Sequence, residues 1–154
     1  MPAADAGAGR LANYRVHIGG CGRVGTSVVL ARHAAGNCND PQVFEEEQLG
    51  ANVFSRRSDL GRPKVDVLAR LLDGREGLVF EPLAAPNESA KVMPLLEKAD
   101  IIVSAANQLP ARLRLERAAI ALQKPVVSMA AKNGAILAGK REPVYGLRSG
   151  LQRG

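Results

Sequence analysis

Gly20, Gly22 and Gly25 form a G-x-G-x-x-G pattern between the apolar stretch "VHIG" and a stretch of helical periodicity. Glycines so placed suit a phosphate cradle. Gly20 permits a tight turn, Gly22 lets backbone amides approach phosphate, and Gly25 lets the following helix pack closely. The helix opening there offers free N–H groups and partial positive charge to an anion. Asp40 stands where an acidic residue should follow a second strand, here clipped to "NCN", and is the residue type that takes ribose hydroxyls, although it follows the glycines sooner than is usual. Two plainer readings stay open: a glycine turn needed only for strand–helix packing, and a turn aspartate before Pro41. The remaining chemically capable residues are sparse. His17 alternates within a strand and His33 lies on the first helix, both common places for structural histidines. Cys21 and Cys38 are too few for a disulfide framework or a four-cysteine zinc site, and no CxxC occurs. The run Glu45 to Glu47 reads as a solvated acidic face, and no metal site is expected.

Holding a glycine turn at a strand end requires strands alternating with helices. "YRVHIGG" (14–20) predicts a strand, and residues 23–36 a helix closed by Gly36. Residues 62–74 predict a helix with Pro63 in its first turn, one apolar face of Val65, Leu68, Ala69 and Leu72, and Gly74 at its end. Strands are expected at 77–83, 100–106 and 124–131. Helices are expected at 90–99, disturbed by Pro94, and at 109–123. Crossovers of this length make parallel pairs. The expected fold is therefore α/β, a doubly wound, mostly parallel Rossmann-like sheet. Its second strand is shortened, because little separates Gly36 from Asp40. Residues 1–13 read as a flexible Ala/Gly-rich tail, 14–131 as one nucleotide-binding domain, and 132–154 as a C-terminal hairpin or irregular tail.

The chain has 154 residues, about one domain, and is 46% apolar but only 3% aromatic, so its core must be aliphatic. Its net charge of +6 is spread along the sequence. No basic run is interleaved with stacking aromatics, which argues against a nucleic-acid partner. No leader pattern or long apolar run is visible, which points away from membranes and toward a soluble, cytoplasmic protein.

The stretch "ANVFSRRSDLGRPKVDVLARLL", with the glycine turn and Asp40, resembles the ThiF/MoeB family, whose adenylating fold is shared with ubiquitin-activating enzymes. In that family a ribose-binding Asp is followed by an Asn and an Arg near the phosphates, and a G-x-P-K element brings a Lys to them. The resemblance implies that Asp40 takes the ribose and that Asn52, Arg56 (or Arg57) and Lys64 in "GRPK" attend the phosphates. "ADIIVSAANQLPARLRLERAAIALQKPVVSMA" is similar to the family's stretch after its fourth strand. There Asn107-Gln108 stands where the family carries D-N, Arg112 matches an Arg on the next helix, and "QKPVVS" closes the likeness. Asn107 thus takes a cofactor-side position that the family gives to an Asp attending Mg²⁺.

The resemblance implies an ATP-binding adenylyltransferase-type domain using ATP with Mg²⁺. It would activate the carboxylate of a small acid, a peptide, or a ubiquitin-like C-terminal tail, working as a homodimer. Two other functions fit the same residues. One is a dehydrogenase-type domain, because the glycine turn and Asp40 suit NAD equally. The other is a scaffold that keeps the fold without the reaction.

Overall fold

The computed structural model describes residues 14–30, 35–49, 55–75, 78–132 and 135–141. In chain order the elements are β1 (Val16–Gly19), α1 (Arg23–Leu30), β2 (Gly36–Asn39), α2 (Glu46–Leu49), a short 3₁₀ turn (Arg57–Asp59) and α3 (Lys64–Leu72). Then come β3 (Phe80–Leu83), α4 (Met93–Lys98), β4 (Ile101–Ser104), α5 (Leu109–Ala121), β5 (Val126–Lys132) and β6 (Ala135–Arg141). The sheet order is β3-β2-β1-β4-β5-β6. The first five strands pair in parallel, and β6 runs antiparallel to β5. This is the doubly wound α/β arrangement, in which chain order reverses between β1 and β4.

Each element follows from local sequence. "IIVS" is a β-branched run in the middle of the sheet, where strands are buried on both faces. α3 buries Val65, Leu68 and Leu72 along one face, and Gly74, at φ +77, terminates it. Pro82 is tolerated in β3 because that strand lies at the sheet edge. One core packs α1 and α3 on one face of the sheet, through Val16, Ile18, Val24, Val29, Leu68 and Val103. A second packs α4 and α5 on the other, through Ile102, Leu96, Leu115, Ala119 and Val126.

Three expectations change. Gly36 does not close the first helix, which runs Arg23–Leu30 among the described residues. It opens β2 instead, where a Cβ would meet the Val16 carbonyl oxygen at 2.7 Å, so only glycine lets the two strands approach. Pro94 does not disturb α4 but starts it, at a position where its missing N–H leaves no bond unmade. The third change concerns the cysteines. Cys21 and Cys38 are both buried and joined by a disulfide that ties the glycine turn to β2. β2 is short, yet it is as long as β1 and β4, and its last residue Asn39 stays in register with Gly19.

Candidate functional site

The reversal between β1 and β4 opens a crevice at the carboxyl ends of the strands, the place where such sheets hold ligands. A cavity of about 300 Å³ lies there, at the lower end of small-molecule sites. Its wall includes Gly20, Gly22, Asp40, Gln42, Gln48, Lys64, Asn87 and the Ala105–Gln108 segment.

The glycine turn forms the floor. Gly20 sits at φ +106, and a Cβ there would lie 2.9 Å from the Ala105–Ala106 backbone, so a side chain would be strained and blocked. At Gly25 a Cβ would fall 1.8 Å from the Gly20 carbonyl oxygen, which is why the helix can pack down on the turn. Over Gly22 the space is open within 4 Å. Asp40 pins this turn: one carboxylate oxygen accepts the Cys21 N–H at 2.7 Å, the other the Gln42 N–H at 2.8 Å. It lies directly after β2 and lines the cavity, where its remaining lone pairs can still face a hydroxyl.

Lys64 enters from α3. The backbone of 42–44 pairs with 61–64 through Phe44 N–H to the Arg62 carbonyl, Gly61 N–H to the Phe44 carbonyl, and Lys64 N–H to the Gln42 carbonyl. Upstream, Asp59 is fully buried, bound to the Arg70 guanidinium at 2.8 Å and accepting the Arg56 N–H at 2.8 Å. These bonds hold the "GRPK" turn against α3. Lys64 itself is only 5% exposed, and its ammonium donates to the neutral carboxamide oxygen of Gln42 at 2.6 Å. Among the described residues no carboxylate forms an ion pair with it.

The opposite wall is made of amides. Asn39 donates to the Ala85 carbonyl at 3.0 Å and to the Asn87 side-chain oxygen at 2.7 Å, and Asn87 donates to the Ala111 carbonyl at 3.0 Å. Asn107 is exposed at the rim, and Gln48 brings a buried side-chain oxygen with no hydrogen-bond partner among the described residues.

The structure therefore brings Gly20, Gly22, Asp40, Lys64 and Asn107 to one cavity, with Gly25 packed beneath it. Arg56 is exposed and outside the lining, and Arg57 is spent on a surface ion pair with Glu46 at 2.9 Å. Arg112 does not line the cavity, and Asn52 lies outside the described residues. Sequence reasoning missed Gln42, Gln48 and Asn87. Asn87 had one available signal, its position just beyond the carboxyl end of a strand. His17 is fully buried within the sheet, away from the cavity. Its Nδ1 lies 2.5 Å from the Asn37 side-chain oxygen. Burial lowers its pKa to about 4, with hydrogen bonds to Asn37 and Asn39 acting in the opposite direction.

A model of the ThiF family matches residues 1–137. Among solved structures, E. coli MccB with ATP superposes at a TM-score of 0.75 with 23% identity, covering 89% of this chain and 43% of that one. E. coli MccB with MccA gives 0.76 and 22%, again over 89% and 43%. PaaA gives 0.70 and 21%, over 84% and 44%. At such identities the likeness concerns the fold, and the chain spans less than half the length of these relatives. None of the curated proteins compared with the chain matches it.

Proposed function

The chain belongs to the ThiF family, and on that premise we propose that it is an adenylyltransferase-type domain that binds an adenine nucleotide in the cavity between β1 and β4. One observation carries the reading: the Lys64 ammonium is buried beside the glycine turn and, among the described residues, its side-chain partner is a neutral amide. A buried charge without a counterion is costly, and a phosphate arriving at the turn would supply one. Asp40 then faces the ribose and the glycine amides the phosphate. Support for ATP as the nucleotide comes from the neighbour MccB, solved with ATP.

In the reaction this reading implies, a carboxylate oxygen attacks the α-phosphorus, the bond to the β-phosphate oxygen breaks, and pyrophosphate leaves. Lys64 and Asn52 would stabilise the charge, while Arg56, exposed outside the lining, would have to turn inward to join them. The acceptor is proposed to be a peptide or ubiquitin-like C-terminus, a reading supported by MccB having been solved with MccA. The neutral Asn107 favours a second reading, a binding scaffold that retains the nucleotide without turning it over.

Thermal shift separates these from an NAD domain. AMP or ATP should stabilise the chain more than NAD does, by preferential binding to the folded state. Lys64→Ala should lose at least tenfold in nucleotide affinity while staying folded. A larger shift with NAD would sink the adenylate reading. Carboxylate-dependent exchange of labelled pyrophosphate into ATP then divides enzyme from scaffold, since silence with nucleotide bound leaves only the scaffold. A homodimer also belongs to this reading. Leu109, Leu113 and Ile120 are 63%, 41% and 52% exposed along one face of α5, an apolar stripe that a second copy would cover. Monomeric light scattering at micromolar concentration would count against it.

A further inference from the structure

Gln42 is held from both sides. Its N–H donates to one Asp40 carboxylate oxygen at 2.8 Å, and its carbonyl accepts the Lys64 N–H at 3.0 Å. Its side-chain oxygen accepts the Lys64 ammonium at 2.6 Å. The carboxamide must turn its oxygen that way, because an ammonium has only donors to offer. One residue therefore joins the carboxylate placed for the ribose to both the backbone and the side chain of the lysine placed for the phosphate. Gln42 follows β2 directly, whereas Lys64 opens α3, so only the fold brings them together.

What this partner lacks is charge. Two carboxylates share the cavity wall with Lys64, Asp40 and Glu88. Asp40 accepts the Cys21 and Gln42 N–H groups, and Glu88 pairs with Arg114 at 3.4 Å. Among the described residues neither forms an ion pair with Lys64. A lysine left 5% exposed has shed most of its water, so its N–H groups need acceptors. A carboxamide supplies one and fixes the ammonium in place, leaving its charge undiminished for an arriving anion. A carboxylate in the same position would hold the ammonium as well, but it would offset that charge and repel a phosphate. An apolar side chain would leave the ammonium to turn toward Asp40 or Glu88.

We propose that Gln42 is a positioning residue for the phosphate: it fixes the Lys64 ammonium in the cavity without neutralising it. The inference rests on the cavity being a nucleotide site, and it names what keeps the lysine of that site available to an anion. Because Gln42 acts through Lys64, its effect belongs to the phosphate and not to the nucleoside.

Calorimetry of the full chain with AMP and with adenosine tests this, since the two ligands differ by the phosphate. Wild type should bind AMP more tightly than adenosine. Gln42→Glu should lower that preference by about tenfold or more, through the added negative charge. Gln42→Met keeps the length but removes the acceptor, and should lower the preference by about threefold. In a Lys64→Ala background the same Met substitution should change AMP affinity by less than about twofold, because the group it acts through is gone. Circular dichroism checks folding, and Gln42→Met, at an exposed position, carries the test if the glutamate variant does not fold. An unchanged preference in the folded variants, or AMP and adenosine weakening in step, would overturn the inference while leaving the nucleotide site standing. So would a wild type with no preference for AMP. A wild type that binds neither ligand would overturn the site and the inference together.

Discussion

The two faces of the sheet are built from different chemistry. Toward α1 and α3, the strands present Val16, Ile18, Cys38 and Val103, which meet Val24, Val29, Val65, Leu68 and Leu72. Toward α4 and α5, the same strands present His17, Asn37, Asn39, Ile102 and Ser104, all buried. Only the part nearest β5 is aliphatic there. Register places Asn39 and Ser104 on either side of Gly19, with His17 one pleat behind. The polar face is incompletely satisfied: among the described residues, Asn37 Nδ2 and Ser104 Oγ are buried without a hydrogen-bond partner. Burial of apolar surface stabilises the first face, while unmade hydrogen bonds weaken the second. The polar face continues into the cavity wall through Asn39, so the side that costs stability is also the side that faces a ligand.

The comparison can be broken most forcefully on the aliphatic face. Leu68→Ala removes a side chain that is 2% exposed in the larger core. It should cost about 2–5 kcal/mol in urea unfolding, without altering nucleotide affinity in the folded fraction. A loss below about 1 kcal/mol would mean that this face is not what holds the sheet.

Acid should act on the other face. Folded His17 is neutral, with its pKa lowered from 6.5 to about 4, chiefly by burial. Between those values the unfolded chain takes up a proton that the folded chain refuses. The histidine's contribution is therefore fully present above about pH 6.5 and is lost as pH falls toward 4, by about 3 kcal/mol. Urea midpoints of wild type and His17→Gln across this window isolate the effect, because carboxylates titrate in both. The variant should lose less on acidification, and parallel curves would show that His17 is not the acid-sensitive group.

Much of this was legible in the sequence. Period-two and period-3.6 patterns give the strand and helix order. The glycine turn is visible because a positive φ at Gly20 and the contact at Gly25 admit little else. Lys64 is visible through "GRPK". The amide wall was not, because Gln42, Gln48 and Asn87 carry no spacing signal and meet only through tertiary pairing, such as that of 42–44 with 61–64. The disulfide was hidden for the same reason: Cys21 and Cys38 are 17 residues apart and become neighbours only when β1 and β2 pair. Arg56 shows the converse, since its motif position gives no indication that its side chain would be exposed.

The smallest effect is expected at Asn87, where the polar face meets the cavity. Its side-chain oxygen accepts from Asn39 and its amide donates to the Ala111 carbonyl on α5, so it joins β2 to the helix that closes the site. Asn87→Ala should cost only about 1 kcal/mol, because Asn39 keeps its bond to the Ala85 carbonyl and water can enter the open cavity. Asn87→Asp separates position from charge. It keeps the acceptor for Asn39, loses one donor, and adds a negative charge to a cavity whose one lining cation, among the described residues, is Lys64. Stability should then fall no further than in the alanine variant, while affinity for AMP falls further, by several-fold against about twofold. Urea unfolding and AMP calorimetry on the two variants give both quantities. Stability and affinity moving in proportion across the pair would make Asn87 a structural tie alone, and the polar face would end before it reaches the ligand.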